Sequence, residues 1–297
     1  MKTGWIRFSL AAALLPAFGL ALSTCSAATT IDPVNKYAWG ANQGWLDWSG
    51  GSGQTATGPV ISQYVCSGNI YSANVGWINL GSGAPANGIQ YQNNSATDYG
   101  VNLDGFGNLR GYAYGANIGW LNFETNGAPA INMITGQMSG YVWSANCGWI
   151  SLSNAVTYVQ TDSITPGALA PDGLPIAWLL LNFGTTNVNA NADPTGKGMT
   201  IGQDYLAGTD PNNAASLFRI TAGNFSTGGT TAALTWDSVP TRFYHIQKTT
   251  GLSSPAWNDS GLGLILPAAG AITSASFNDT NAPDRFYRVQ AVRPLTP

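Results

Sequence analysis

The chain has 297 residues, among them 37 Gly and 16 Pro, and only 8% of its residues are charged against roughly 25% in an ordinary soluble protein. That shortage excludes a disordered acidic tail and a basic nucleic-acid binder, both of which need dense charge. One His, one Glu and three Cys leave too few groups for most acid–base or nucleophilic constellations, so a non-catalytic protein is expected.

Residues 1–28 read as an export signal. Lys2 and Arg7 form its positive end, Phe8 to Leu22 its apolar core, and Ser26-Ala27-Ala28 a small-residue cleavage site. The core is about 15 residues, short of the roughly 20 that span a bilayer, and Pro16 interrupts it. No later stretch is long and apolar enough for a transmembrane segment, so the mature chain is expected outside the cytoplasm, extracellular or at the cell surface. Loss of Lys2 and Arg7 leaves a mild net charge of about −5, which argues against phosphate-rich partners and nucleic acid. Cys66 and Cys147 then remain in an oxidising compartment, and two readings stay open: a disulfide, or two small buried hydrophobes.

Four twelve-residue segments follow that align without gaps: Tyr37–Trp48, Asn69–Leu80, Tyr112–Phe123 and Tyr141–Leu152, each containing Ala-Asn-x-Gly-Trp. The long interval between the second and third is an insertion around Gly88 to Thr97. Val101–Leu103 and Ile131–Met133 precede copies three and four, so each unit is read as two or three short strands. Ala-Asn-x-Gly is hairpin-turn chemistry, because Asn and Gly tolerate positive φ.

Period-two alternation then gives every hairpin two faces. One carries the aliphatic pairs Ala38/Leu46, Ile70/Ile78, Ala113/Leu121 and Val142/Ile150. The other carries the aromatic pairs Trp39/Trp45, Tyr71/Trp77, Tyr114/Trp120 and Trp143/Trp149, with Asp47, Asn79, Asn122 or Ser151 close by. Two readings of the aromatic face compete. Either it packs on the next unit in a stacked or closed array, or it lies partly open and offers flat rings with adjacent amides to sugar rings. On the second reading the binding residues are Trp45, Trp77, Trp120 and Trp149 with Asp47, Asn79 and Asn122.

The stretch Tyr99–Phe123 resembles the G-Y-A-W-S-x-N-I-G-W-I repeats of exported and surface proteins of many bacteria, and the resemblance covers about residues 35–154. It implies a secreted or cell-surface setting and carries over no catalytic residue. Leu22-Ser-Thr-Cys25 loosely resembles a bacterial lipoprotein box, with Thr24 out of pattern.

Between residues 161 and 213 the composition changes. A helix is expected over Pro175–Asn182, stopped by Gly184, and a second opens at the capping box Thr200–Gln203 and ends at Gly208. Asp172–Pro175 and Ala192–Pro211 resemble D-x-D-G-D-G-L-x-x-x-x-E-Y-x-x-G-T-D-P segments, akin to thrombospondin type 3 and dockerin calcium loops. The resemblance implies calcium near Asp193 and Asp204. The pattern is eroded, however: Thr195 and Lys197 stand at carboxylate positions, Asp204 replaces the closing Glu, and Ile176 and Leu179 replace acids. A loop–helix spacer is therefore expected, with Leu179–Leu181 docked on a neighbouring domain.

From residue 214 to 297 strands are expected at Leu217–Ile220, Ala233–Trp236, Phe243–Gln247, Ala275–Phe277 and Arg285–Val292, at β-sandwich spacing. The Leu-Thr-Trp-Asp237 and Arg-Phe-Tyr-Arg288 strands are similar to the fibronectin- or immunoglobulin-like modules that end many exported bacterial proteins, which implies an interaction module. His245 reads as a surface or edge residue, Arg285 and Arg288 as strand-face charges, and Asp32, Asp47 and Asp104 as acids scattered among loops and strands, which do not by themselves indicate a glycosidase pair. The expected fold is mostly β: a four-hairpin antiparallel repeat domain over 29–160, a two-helix linker over 161–213, and a C-terminal β-sandwich over 214–297. The expected role is a secreted or cell-surface structural or adhesion protein whose partner is a surface or matrix polymer. The alternative is a glycan-binding module using the repeat tryptophans on a polysaccharide.

Overall fold

A computed structural model describes residues 29–51, 58–226, 230–253, 256–279 and 286–296. The expected export signal over 1–28, with Cys25, and the expected strand residue Arg285 lie outside them.

The repeat region folds as four hairpins: β1 (Ile31–Gly40) with β2 (Gly44–Asp47), β4 (Cys66–Ser72) with β5 (Gly76–Ser82), β7 (Leu109–Gly115) with β8 (Gly119–Asn122), and β11 (Tyr141–Ser144) with β12 (Gly148–Ser151). Each turns on three residues, Ala-Asn-x, closed by a Gly with φ between 71° and 80° at Gly44, Gly76, Gly119 and Gly148. That left-handed residue is what a three-residue hairpin loop demands. The registers are those the alternation predicts, with Trp39 opposite Trp45, Tyr71 opposite Trp77, Tyr114 opposite Trp120 and Trp143 opposite Trp149.

Neighbouring hairpins join through equivalent pairs: Asp47 with Tyr71, Asn79 with Tyr114, Asn122 with Trp143, and Ser151 with Trp39. The last pair closes an eight-stranded antiparallel barrel. The units therefore form a closed array, and its seams are backbone ladders. Aromatic faces do not pack between units.

The turns form a ring of their own. Asn74 Nδ2 donates to the Gln43 carbonyl at 3.0 Å, Asn117 to Val75 at 3.1 Å, Asn146 to Ile118 at 3.0 Å, and Asn42 to Cys147 at 3.0 Å. Every hairpin thus holds the one before it, and the first holds the fourth.

The aliphatic pairs point into the barrel, where Ala38, Leu46, Ile70, Ile78, Ala113, Leu121, Val142 and Ile150 are buried. Trp48, Leu80, Phe123 and Leu152 form a second buried layer, so the interior is a packed core. At the turn end the plug is built from complementary sizes. Large Gln43 and Ile118 fold over Gly40 and Gly115, while small Val75 and Cys147 accompany Ser72 and Ser144.

At the far end, short strands add one to each hairpin: β3 (Val60–Ile61) on β4, β6 (Val101–Leu103) on β7, and β9 (Ala130–Ile131) on β10 (Met138–Ser139), which leads into β11. For the first hairpin this strand comes from the end of the repeat region, β13 (Val159–Thr161) on β1. The repeat domain accordingly extends through Thr161. Cys66 and Cys147 are both free thiols, so the disulfide reading is not realised. Cys66 is buried, which pushes its thiol up to about 12.

The linker forms α1 (Ile176–Phe183), stopped at Gly184, and α2 (Ile201–Ala207), opened by the Thr200/Gln203 capping box. The Leu179–Leu181 run does not dock as one unit. Leu179 is buried with Trp178 and Tyr205, Leu180 lies against Gly88 of the repeat domain, and Leu181 is exposed because one helical face cannot hold three successive residues.

The terminal domain has two three-stranded sheets. One orders β14 (Ile220–Phe225), β15 (Thr231–Asp237) and β18 (Ile272–Asn278); the other orders β17 (Asn258–Asp259), β16 (Phe243–Thr249) and β19 (Phe286–Val292). They enclose Ala232, Leu234, Trp236, Tyr244, Ile246 and Phe277. The first strand begins later than the expected Leu217, because Phe218 leaves the ladder to stack on Tyr244 at 5.9 Å. Buried Arg242 donates to the Leu206 and Tyr205 carbonyls at 2.8 and 2.6 Å, capping α2 and tying the sandwich to the linker.

The size rule at the barrel plug is testable. A side chain on Gly115 would place its Cβ 3.0 Å from Ile118 Cγ1 and 3.2 Å from Ile78 Cγ1, so Gly115→Ser should destabilise by about 1–3 kcal/mol in urea unfolding. Adding Ile118→Val, the combination present at Ser72 and Val75, should recover most of the loss. A second prediction concerns the thiols: in the native protein maleimide should label Cys147 and leave Cys66 unmodified, as read by peptide mass mapping.

Candidate functional site

Because the aliphatic face fills the barrel, the aromatic face looks outward. Trp45, Trp77, Trp120 and Trp149 are 49%, 42%, 45% and 46% exposed, a near-constant value at four equivalent positions. Their cross-strand partners hold them edge to face or tilted: Trp39–Trp45 at 4.8 Å, Tyr71–Trp77, Tyr114–Trp120 and Trp143–Trp149 each at 4.9 Å. Tyr37, Tyr112 and Tyr141 extend the belt beside Trp45, Trp120 and Trp149. A ring braced by another ring keeps one face presented and loses little further entropy on contact. The aromatic face therefore lies partly open.

The polar residues beside the rings are not equivalent. Asp47 Oδ2 lies 3.3 Å from Lys36 Nζ, and its Oδ1 accepts the Ser49 N–H and hydroxyl. Asn79 donates to Asn69 Oδ1 at 3.0 Å and accepts the Gly81 N–H and the Tyr99 hydroxyl. Ser151 donates to the Ser153 carbonyl. Asn122 accepts the Glu124 N–H at 2.6 Å, and its Nδ2 has no hydrogen-bond partner among the described residues.

Two clefts lie along the belt. One, about 230 Å³, is lined by Asn122, Glu124, Asn126, Gly127, Trp143 and Trp149. The other, about 410 Å³, is lined by Asn93, Asn94, Ser95, Tyr99, Tyr112 and Trp120. Asn122 and Trp149 are both sequence-predicted candidates, and the fold brings them to one cleft. Glu124, Asn126 and Asn94 are not among the sequence-predicted candidates. The signal for Glu124 was available, since it is the only Glu in the chain.

In the linker, the residues do not fit a calcium ion. Lys197 Nζ lies 2.8 Å from Asp204 Oδ1, both side chains fully buried, and donates to the carbonyls of Asp210 at 2.6 Å and Ser216 at 3.0 Å. An ammonium thus stands at the centre of the carboxylate and carbonyl oxygens that a hard cation would seek. Asp193 accepts the backbone N–H groups of Gly198 at 2.7 Å and Lys197 at 3.2 Å, and the Gly198 bond above all holds its carboxyl below the usual range.

His245 Nδ1 lies 3.2 Å from Asp259 Oδ2 on the sandwich surface. Asp32 and Asp104 each accept backbone N–H groups of their own turns, and Asp32 also lies beside Asp162, whose carboxyl is pushed up by burial and then by Asp32. No group of three or more metal-ligating side chains occurs among the described residues. Neither is any helix there long and apolar enough to cross a membrane.

The fold and surface together define a closed four-hairpin barrel with an outward aromatic girdle. No protein-family model, curated protein or solved structure matches the chain.

The internal ion pair carries its own prediction. Lys197→Met leaves the buried Asp204 carboxylate without its cation and should destabilise the linker by about 3–5 kcal/mol. The wild-type melting profile should be the same in chelator and in added calcium, as read by differential scanning calorimetry.

Proposed function

We propose that this is a non-catalytic adhesion protein of the cell surface or extracellular space, and that it holds a polysaccharide on the tryptophan girdle of its barrel. The observation that carries the reading is the repeated exposure of Trp45, Trp77, Trp120 and Trp149. Large exposed rings in one contiguous belt have an unfavourable contact with water and mark a surface that meets a partner. Their flat faces suit the C–H faces of pyranose rings, while neighbouring amides suit the hydroxyl edges.

The composition of the clefts supports binding without turnover. Glycosidic hydrolysis uses two carboxylates in most cases, and of the residues lining the two clefts only Glu124 is acidic. The resemblance of Tyr99–Phe123 to repeats of exported bacterial proteins supports the setting.

The test is affinity electrophoresis of the full chain through gels containing a panel of soluble polysaccharides. At least one polysaccharide should retard the wild type. Joint replacement of Trp45, Trp77, Trp120 and Trp149 by Ala should abolish the retardation while far-ultraviolet circular dichroism stays unchanged. A wild type retarded by none of them, or a quadruple variant retarded as strongly as the wild type, would overturn the reading.

A further inference from the structure

We propose that the polysaccharide is read chiefly at one seam of the barrel, between the third and fourth hairpins, and that this seam takes uncharged or amine-bearing sugars and rejects uronate and sulfate groups. The proposal rests on the polysaccharide-binding reading above.

Three observations place the site. First, the four polar positions beside the rings differ in what they have left to offer. Asp47, Asn79 and Ser151 are engaged within the protein, whereas Asn122 spends only its carbonyl oxygen, on the Glu124 N–H, and keeps its Nδ2 donors. An amide donor held in a fixed position by its other end is preorganised for a hydroxyl. Second, the cleft at this seam sets that donor between the paired rings of Trp143 and Trp149 and the side chains of Glu124 and Asn126. Third, Tyr112 stands directly opposite Asn122 in the β7–β8 ladder. Cross-strand partners share a face and lie about 5 Å apart, so the larger cleft that holds Tyr112 and Trp120 adjoins the first across a single strand pair. A linear glycan laid across the pair meets Trp149 and Trp143, then Asn122, then Tyr112 and Trp120.

The charge of the site selects the sugar. One Glu124 carboxylate oxygen accepts the Gly111 N–H at 3.1 Å, and the other has no partner among the described residues. Neither cleft has a Lys or Arg among its lining residues. A carboxylate beside the bound ring accepts bonds from hydroxyl or ammonium groups. It repels a second anion, which no cation in the lining would offset.

The experiment titrates the full chain by tryptophan fluorescence and affinity electrophoresis with three probes: hydroxyethyl cellulose as the neutral polymer, chitosan oligosaccharides as the amine-bearing one, and polygalacturonate as the anionic one. The wild type should bind the neutral or the amine-bearing probe at least tenfold more tightly than polygalacturonate, and Glu124→Gln should narrow that ratio at least threefold. Asn122→Asp preserves the acceptor for the Glu124 N–H, exchanges the outward donor for an acceptor and adds a negative charge, so its effect is read on the neutral probe. Asn122→Asp should weaken binding of hydroxyethyl cellulose at least tenfold, and Trp149→Ala should weaken binding of the preferred probe at least tenfold, against less than threefold for Trp45→Ala, with unchanged melting temperatures. If Trp45→Ala and Trp149→Ala cost the same, the one-seam assignment is overturned while girdle binding stands. Preference for polygalacturonate, or a ratio insensitive to Glu124→Gln, overturns the sugar class. A wild type that binds none of the three overturns this inference, and failure across the wider panel overturns the binding reading itself.

Discussion

The side-chain amide of each turn asparagine reaches out of its own hairpin to the carbonyl of the residue two places before the next tryptophan in the adjoining hairpin, and four such bonds close on themselves. The glycines at the same turns complete the arrangement. Each adopts positive φ, and a Cβ there would lie 3.1 to 3.6 Å from the approaching asparagine amide. This ring fixes where every hairpin bends relative to its neighbours. In a strand pair the bend sets the register, and a slip of one residue would send every aliphatic inward position to solvent. The sorting of Ala, Leu, Ile and Val to the inside and Trp and Tyr to the outside therefore follows from the turns.

That sorting has a functional consequence. A small β domain ordinarily commits its aromatic residues to the core, because they bury the most area per residue. Here the barrel is narrow enough to be filled by aliphatic pairs, with Trp48 and Phe123 supplying the bulk in the second layer. Four tryptophans and their partners are released to the surface without loss of the core, and each is braced by a neighbour on the adjacent strand. The far-end strands reinforce the ring, since β13 serves the first hairpin as β3, β6 and β9 serve the others. The C-terminal domain holds the linker through Arg242, and the linker meets the repeat domain through Tyr205 on Gln63 and Leu180 against Gly88.

Much of this was legible in the residues. Repetition of Ala-Asn-x-Gly-Trp gave the hairpins, their registers and their two faces, because turn chemistry and period-two alternation are local. The capping box at Thr200 and the stops at Gly184 and Gly208 were legible for the same reason. What depends on closure was not. Nothing in one hairpin says that Ser151 meets Trp39 or that the aliphatic face curls inward, so both fates of the aromatic face stayed open. The difference between Asn79 and Asn122 lies in long-range partners, Tyr99 and Asn69 for the first. Lys197 read as an intruder in a calcium loop, and only folding brings Asp204, Asp210 and Ser216 around its ammonium. The late start of β14 is likewise a tertiary effect, set by Phe218 leaving the ladder for Tyr244.

The central claim is that the four hairpins put their tryptophans outside a closed ring. Hydroxyl-radical footprinting of the native chain, read residue by residue by mass spectrometry, tests it most directly. The account predicts rapid oxidation of Trp45, Trp77, Trp120 and Trp149 at similar rates, with Trp48 and Trp236 protected. Protection of the four girdle tryptophans, or oxidation of Trp48 as fast as Trp45, would contradict it.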